Sequence, residues 1–200
     1  RFHSRHLPAT ADHTAKRNIE RWDRYQTCFL ISDTHFDDPD LEKAYPLRPK
    51  AEEFVKLINS KVGRKDIIIC LGDCGNLEYW KKIRGYKILI MGNHDASIKK
   101  CHKVFNEVYQ GPVILGEKLI LSHEPIAGID WALNFHGHKH DGPIRSDPYH
   151  LNINCDANKK YEPFNLNSML KHGPTAHIKS LHRDTIDKAT TRKNKRGARK

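Results

Sequence analysis

Leu89-Ile90-Met91-Gly92-Asn93-His94-Asp95 is the stretch that decides the reading of this chain. An apolar run stops at glycine, and an amide, an imidazole and a carboxylate follow at once. That is how a buried strand gives way to a working loop at the carboxyl edge of a sheet. Four other stretches repeat the plan. Residues 29–32 run into Asp33-Thr34-His35, and residues 67–71 run into Gly72-Asp73. Residues 119–121 run into Ser122-His123, and residues 131–135 lead to His136-Gly137-His138-Lys139-His140. Apolar runs that each deliver metal-type ligands predict one site built from several loops.

Between those loops the first half of the chain alternates. Strands are expected at about residues 28–32, 66–71 and 86–91, with helices at about 50–62 and 76–83. Phe54, Leu57, Ile58 and Val62 recur at the three-and-four spacing of one buried helix face, and Gly63 stands where a C-cap belongs. Residues 66–71 are apolar and β-branched, so both faces of that strand are expected to be covered. Asp37, Asp38, Pro39 and Asp40 read as a turn-rich loop.

The second half carries short strands at about 104–109, 111–115, 118–122, 131–135 and 150–154. A hairpin turn is expected at 115–118, with Gly116 supplying a positive φ. Closing helices are expected at 165–171 and 178–189. This order predicts an α/β fold of two facing mixed β-sheets flanked by helices, the second sheet being the more antiparallel.

The 200 residues suit one domain with a real core. We expect a lead-in at 1–25 with a short helix over 14–25, a domain at 26–187, and a basic tail at 188–200. The tail holds seven Lys or Arg and no acid; removing those seven from the net charge of +11 leaves +4 for residues 1–187. Such a segment can hold nucleic-acid phosphates in a salt-dependent way. Cys28, Cys70, Cys74, Cys101 and Cys155 are an odd set without zinc-type doublets, which we read as a reduced, cytoplasmic protein. No apolar run approaches the roughly 20 residues of a bilayer span, so no membrane partner is expected. The opening residues lack an initiator methionine and a secretory signal, so the chain either continues before Arg1 or has been processed.

The loop ends supply two aspartates, one asparagine and four histidines, with no thiolate: Asp33, His35, Asp73, Asn93, His123, His138 and His140. That set is too large for one ion and suits two that share a bridging carboxylate. Its oxygen and imidazole donors point to two divalent transition-metal ions, Mn²⁺ first, with Fe, Zn²⁺ or Ni²⁺ as alternatives. Two such ions can bind a phosphoryl group and hold a hydroxide for in-line attack.

Asp33-x-His35, Gly72-Asp73, Gly92-Asn93-His94-Asp95, Ser122-His123 and Gly137-His138-x-His140, in that order over roughly residues 28–141, resemble the calcineurin-like metallophosphoesterase superfamily. The resemblance implies its four-layer sandwich and a dinuclear phosphoesterase acting on phosphomonoesters or phosphodiesters. It further implies that Asp33, His35 and His140 hold one ion, that Asn93, His123 and His138 hold the other, and that Asp73 bridges them. His94 is implied as the acid at the leaving oxygen, with Asp95 orienting its ring. Cys74-Gly75-Asn76 departs from the Gly-Asp-x-x-Asp-Arg-Gly pattern of protein Ser/Thr phosphatases, and the compact chain looks more like small bacterial and phage members.

Asn93, His94 and Arg145 are candidates for binding substrate, with Arg183 and Lys139 as further cations that read as surface charges. His136, Trp131 and Tyr149 read as packing residues. Pocket walls are expected in loops near 37–46, 76–80, 126–130 and 141–148. Alternatives to a general phosphoesterase are a nuclease or cyclic-nucleotide phosphodiesterase, or a non-catalytic protein that binds metal with nucleic acid or another protein.

Overall fold

In the computed structural model, which describes residues 27–115, 118–172 and 177–178, the first strand shows how the chain is layered. Strand β1 (Cys28–Ile31) is buried at every position. Cys28 and Leu30 enter one apolar cluster, while Phe29 and Ile31 enter another. Side chains alternate across a strand, so a fully buried strand needs cover on both faces. The same holds for β2 (Ile67–Cys70) and for the last three residues of β3 (Tyr86–Ile90).

On the outer face lie α2 (Ala51–Lys61) and α3 (Leu77–Lys82). The first buries Ala51, Phe54, Val55 and Ile58. The second starts at Asn76, whose side chain accepts from the Glu78 amide, and buries Trp80. Trp80 Nε1 donates to Thr34 Oγ1 at 3.1 Å, which ties this layer to the loop after β1.

Strands β1, β2, β3 and β4 (Glu107–Tyr109) pair in parallel, and β10 (Phe164–Asn165) adds antiparallel to β1. The second sheet runs β5 (Val113–Leu115), β6 (Leu119–Leu121), β7 (Leu133–His136), β9 (His150–Asn152), β8 (Arg145–Asp147). Its outer pairs are antiparallel and its inner pairs parallel. The sheets face each other through a shared core: Leu30, Ile69 and Ile90 from one, and Leu121, Leu133 and Phe135 from the other. Ile120, Ile129 and Ala132 form a smaller outer cluster, against which Trp131 packs. The architecture is the α/β sandwich of two mixed sheets that the pattern implies.

Some elements differ from expectation. Residues 39–44 are not loop but a helix, α1 (Pro39–Ala44), with Asp38 accepting from the amides of Asp40 and Leu41. Asp-Pro-Asp suits a helix start as well as a turn, because the capping chemistry is the same. The strand expected at 104–109 is confined to β4, because α4 (Ile98–Cys101) and a turn use the residues before it. The strand expected at 150–154 ends at Asn152, and Asn154 instead caps α5 (Cys155–Asn158). Strands β8 and β10 lack the apolar content that would have revealed them.

Helix α6 (Leu166–Lys171) closes the described chain, and Ile178 is buried in the shared core. The expected helix at 14–25, the Gly116 turn, most of the helix at 178–189, Arg183 and the basic tail lie outside the described residues. All five cysteines are buried and free. Among the described residues, no helix is long and apolar enough to cross a membrane.

Leu30 is 0% exposed between the sheets, whereas Leu47 is 82% exposed. Leu30→Ala is expected to cost about 2–5 kcal/mol in urea unfolding through the cavity it leaves. Leu47→Ala is expected to stay within about 0.5 kcal/mol of the parent.

Candidate metal centre

The ligand loops continue the sheet beyond its strands. Past β1 and β2, the Asp33 amide donates to Gly72 O at 3.0 Å and the His35 amide to Asp73 O at 2.9 Å. This ladder holds backbone that L-residues avoid. Asp33, His35, Asp73 and His138 all have positive φ, at 58°, 37°, 54° and 65°. Non-glycine residues persist in that region only where the surroundings impose it, and such strain concentrates at functional sites. Two glycines leave the space: a Cβ on Gly92 would strike Asp73 Oδ1, and one on Gly137 would strike Asp33 Oδ2 and Ser32 Oγ.

Asp95 fixes the central loops. Its Oδ2 accepts from the amides of Asp73 at 3.0 Å and Gly92 at 2.8 Å, and its Oδ1 accepts from the Cys74 amide at 2.8 Å. The resemblance implies that Asp95 orients the His94 ring. The structure gives it a different part, organising the backbone that carries Asp73 and Asn93. His94 is exposed, its amide donates to Asp73 Oδ1 at 2.8 Å, and its ring centroid lies 5.7 Å from that of His35.

The carboxylates and imidazoles converge in two overlapping groups, Asp33–His35–His140 and Asp33–Asp73–His123, each with its ligand atoms within 4.8 Å of one another. Asp73 Oδ2 lies 3.4 Å from His35 Nε2 and 3.3 Å from His123 Nε2. Asn93 Oδ1 and His138 Nδ1 approach His123 Nε2 at 2.8 and 3.2 Å. All seven ligand candidates thus come together, from five loops.

The chemistry of the contacts asks for a cation. His123 Nδ1 lies 2.8 Å from Leu71 O, and a carbonyl only accepts, so Nδ1 carries a proton. His123 Nε2 is then left facing two oxygens, Asn93 Oδ1 and Asp73 Oδ2, beside His138 Nδ1. A neutral ring would set lone pairs against lone pairs; either a second proton or a metal ion resolves the conflict. His140 repeats the pattern, with Nδ1 2.7 Å from Asp156 Oδ2 and Nε2 3.7 Å from Asp33 Oδ1. His35 Nδ1 is 3.4 Å from Asp38 Oδ2, and its Nε2 is buried with no hydrogen-bond partner. Metal-binding histidines characteristically have one nitrogen held by an oxygen and the other aimed at the ion. These residues fit a divalent metal.

The titration shifts have the same origin. Burial would lower the His123 pKa, but the Asp73 hydrogen bond and the charges of Asp33 and Asp73 raise it to about 9. Burial would raise the Asp73 pKa, but the adjacent His123 and His35 imidazoles and the hydrogen bond from the His94 amide take it below the usual carboxylate range. Asp33, fully enclosed, is shifted upward by burial despite opposition from His123 and His140.

Two supporting residues escaped the sequence reading. Asp156 is 2% exposed at the start of α5 and accepts from His140. Arg48 pairs with Asp156 at 2.5 Å, and its other nitrogen donates to the carbonyls of Asp33 and Thr34 at 2.7 and 2.5 Å. Conversely, the Arg145 guanidinium contacts Asp147 O and Pro148 O of its own hairpin at 3.4 and 3.1 Å, which does not place it on the cluster. Lys139 is exposed, and His136 is buried with Nδ1 on Gly137 O at 2.9 Å, apart from the cluster.

Asp156→Asn weakens the hold on the His140 tautomer, and is expected to lower metal affinity roughly 10- to 100-fold in a calorimetric titration. A second test uses protein stripped with EDTA. Because the folded pKa of His123 lies above its unfolded value, the stability it contributes is complete below about pH 6.5 and is lost as the pH rises through about 9. Thermal melts should therefore show Tm falling between pH 7 and pH 9.5, with a shallower fall in His123→Asn.

The profile described as calcineurin-like phosphoesterase matches residues 27–194. A protein of unknown function from Aquifex aeolicus is similar in structure, with 26% identity and a TM-score of 0.62, over 74% of this chain and 100% of that one. A phosphoesterase from E. coli, Yfce, is 15% identical over 64% of this chain and 78% of its own, with a TM-score of 0.38, too low to bear on the fold. No curated protein matches the chain. Because the profile spans more than half of the sequence, and all of its strands, the chain belongs to the calcineurin-like phosphoesterase family.

Proposed function

We propose that this protein hydrolyses a phosphomonoester or phosphodiester with two divalent transition-metal ions, Mn²⁺ by preference. Asp33, His35 and His140 would hold one ion, and Asn93, His123 and His138 the other, with Asp73 shared between them. The observation that carries this reading is the position of Asp73 Oδ2, 3.4 Å from an imidazole of the first set and 3.3 Å from one of the second. When bound, the ions supply Lewis-acid binding of phosphoryl oxygens and a nucleophile at neutral pH.

The remaining work falls to the chain. The buried carboxylates and their backbone amides keep the ligands in place without reorganisation during reaction. Exposed Asn93 and His94 stand at the rim, where a substrate arrives. His94 is attached through its amide to Asp73 and can hold a proton for the departing oxygen. A protein that only bound metal and a partner would have no use for an imidazole there.

Turnover of bis-p-nitrophenyl phosphate and p-nitrophenyl phosphate, in Mn²⁺ and in EDTA, tests the proposal. Mn²⁺-dependent hydrolysis of at least one is expected. Asp73→Asn should lose metal and activity together, whereas His94→Ala should retain metal and lose about a hundredfold or more in kcat on an alkyl ester. Full activity of His94→Ala on that ester would remove the acid role. Metal binding by the parent without turnover of either substrate would favour a non-catalytic binding protein.

A further inference from the structure

His140 has one edge in the metal cluster and one face outside it. Its ring is 5.3 Å from that of His35, and on another side Tyr45 stacks on it at 5.9 Å and 30°. Beyond Tyr45 opens a cleft of about 270 Å³, bounded by residues 44–47, by 140–142 and by Asp156, Ala157, Lys159 and Tyr161. The first two wall segments fall in or beside loops where pocket walls are expected.

The composition of this cleft is specific. Tyr45 offers an aromatic ring, and Pro46 and Leu47 an apolar rim, while Tyr161 borders the cleft with its ring packed edge-on against Phe54 in the core. Leu47 is 82% exposed, one of only two large apolar side chains so exposed among the described residues. At the mouth are an acceptor, the Asp141 carboxylate, which takes the Tyr45 hydroxyl at 3.2 Å, and a donor, exposed Lys159. Lys159 and Tyr161 are both held at positive φ, 57° and 53°, so this wall is imposed by its surroundings.

We propose that the cleft receives a nucleobase carried by the phosphoester, making Tyr45 and Leu47 specificity-determining residues; this rests on the phosphoesterase reading. A flat heteroaromatic ring with donors and acceptors at its edge matches aromatic and apolar walls with one acceptor and one donor at the mouth. Size selects the same class. Pockets for drug-sized ligands span about 300–1,000 Å³, so a cleft near the lower limit suits a single base. His140 lines the cleft and belongs to the metal cluster, so the two adjoin.

Calorimetric titration of the full chain loaded with Mn²⁺ tests this, using AMP and ribose 5-phosphate, which share the phosphate and differ in the base. AMP is expected to bind roughly tenfold more tightly, within the range that base–aromatic stacking supplies. Tyr45→Ala and Leu47→Ser should bring the two affinities together, while Tyr45→Phe keeps most of the difference because the ring remains. Leu47 is exposed, so its variant tests binding without disturbing the fold. Equal affinities in the parent, or a preference for AMP that survives both Tyr45→Ala and Leu47→Ser, would overturn the proposal. A parent that hydrolyses p-nitrophenyl esters yet shows no preference for AMP would lose the cleft assignment alone. A parent that hydrolyses no ester would lose the phosphoesterase reading on which it rests.

Discussion

Enclosed negative charge without an internal counter-ion is the constraint around which this molecule is arranged. Asp33 and Asp73 are 0% and 2% exposed, and among the described residues the groups facing them are imidazole nitrogens and the backbone amides of His138 and His94 rather than lysine or arginine side chains. Burying a carboxylate is costly unless it is paired and hydrogen-bonded. Protons on the histidines relieve the cost only in part, and the upward shift of His123 is the sign of that makeshift. The cluster is therefore built for external cations, and its stability and its capacity to bind metal have one origin.

Holding such a cluster requires supports that do not themselves touch the ion. Asp95 does this for the middle of the site by collecting three amides from two loops. Arg48 does it for one flank, through a carboxylate and two carbonyls. Both act on the backbone or on another side chain. Removing either charge would leave its partners buried and unpaired, and losing a support of this kind costs a site roughly 10- to 100-fold in affinity or activity.

The ligand residues were legible because their chemistry is local. An apolar run, a glycine and a polar donor in succession describe a strand end wherever they occur, and the two-residue spacing of Asp33–His35 and His138–His140 marks paired donors, although positive φ at Asp33, His35 and His138 turns those segments away from the extended form the spacing suggests. Burial on both faces of β2 was equally readable from its unbroken apolar run. The supports were not, because their meaning is tertiary: Arg48 and Asp156 are 108 positions apart, and nothing near either marks it as buried. Asp95 misled for a related reason. Adjacent in sequence to His94, it suggests a partner for that ring, yet the turn points its carboxylate back at the amides of Asp73, Cys74 and Gly92. Helix α1 was hidden by a true ambiguity, since Asp38-Pro39-Asp40 serves a turn and a helix start alike.

Arg48 also ties the cleft to the metal cluster. The same guanidinium that holds the carbonyls of Asp33 and Thr34 holds Asp156, which in turn fixes His140, the residue shared by the metal cluster and the cleft. Tyr45 stacks on that histidine, and the cleft's far wall continues from Asp156 through Tyr161. A displacement of the cleft wall would therefore displace a metal ligand, and a misplacement of about 1 Å in such an arrangement can cost a hundredfold in rate. A chain that merely stored metal would gain nothing from this coupling. It has physical sense where a bound group must be positioned relative to the ions, with the phosphate set by the cluster and the rest of the substrate set by a wall that cannot move independently of it.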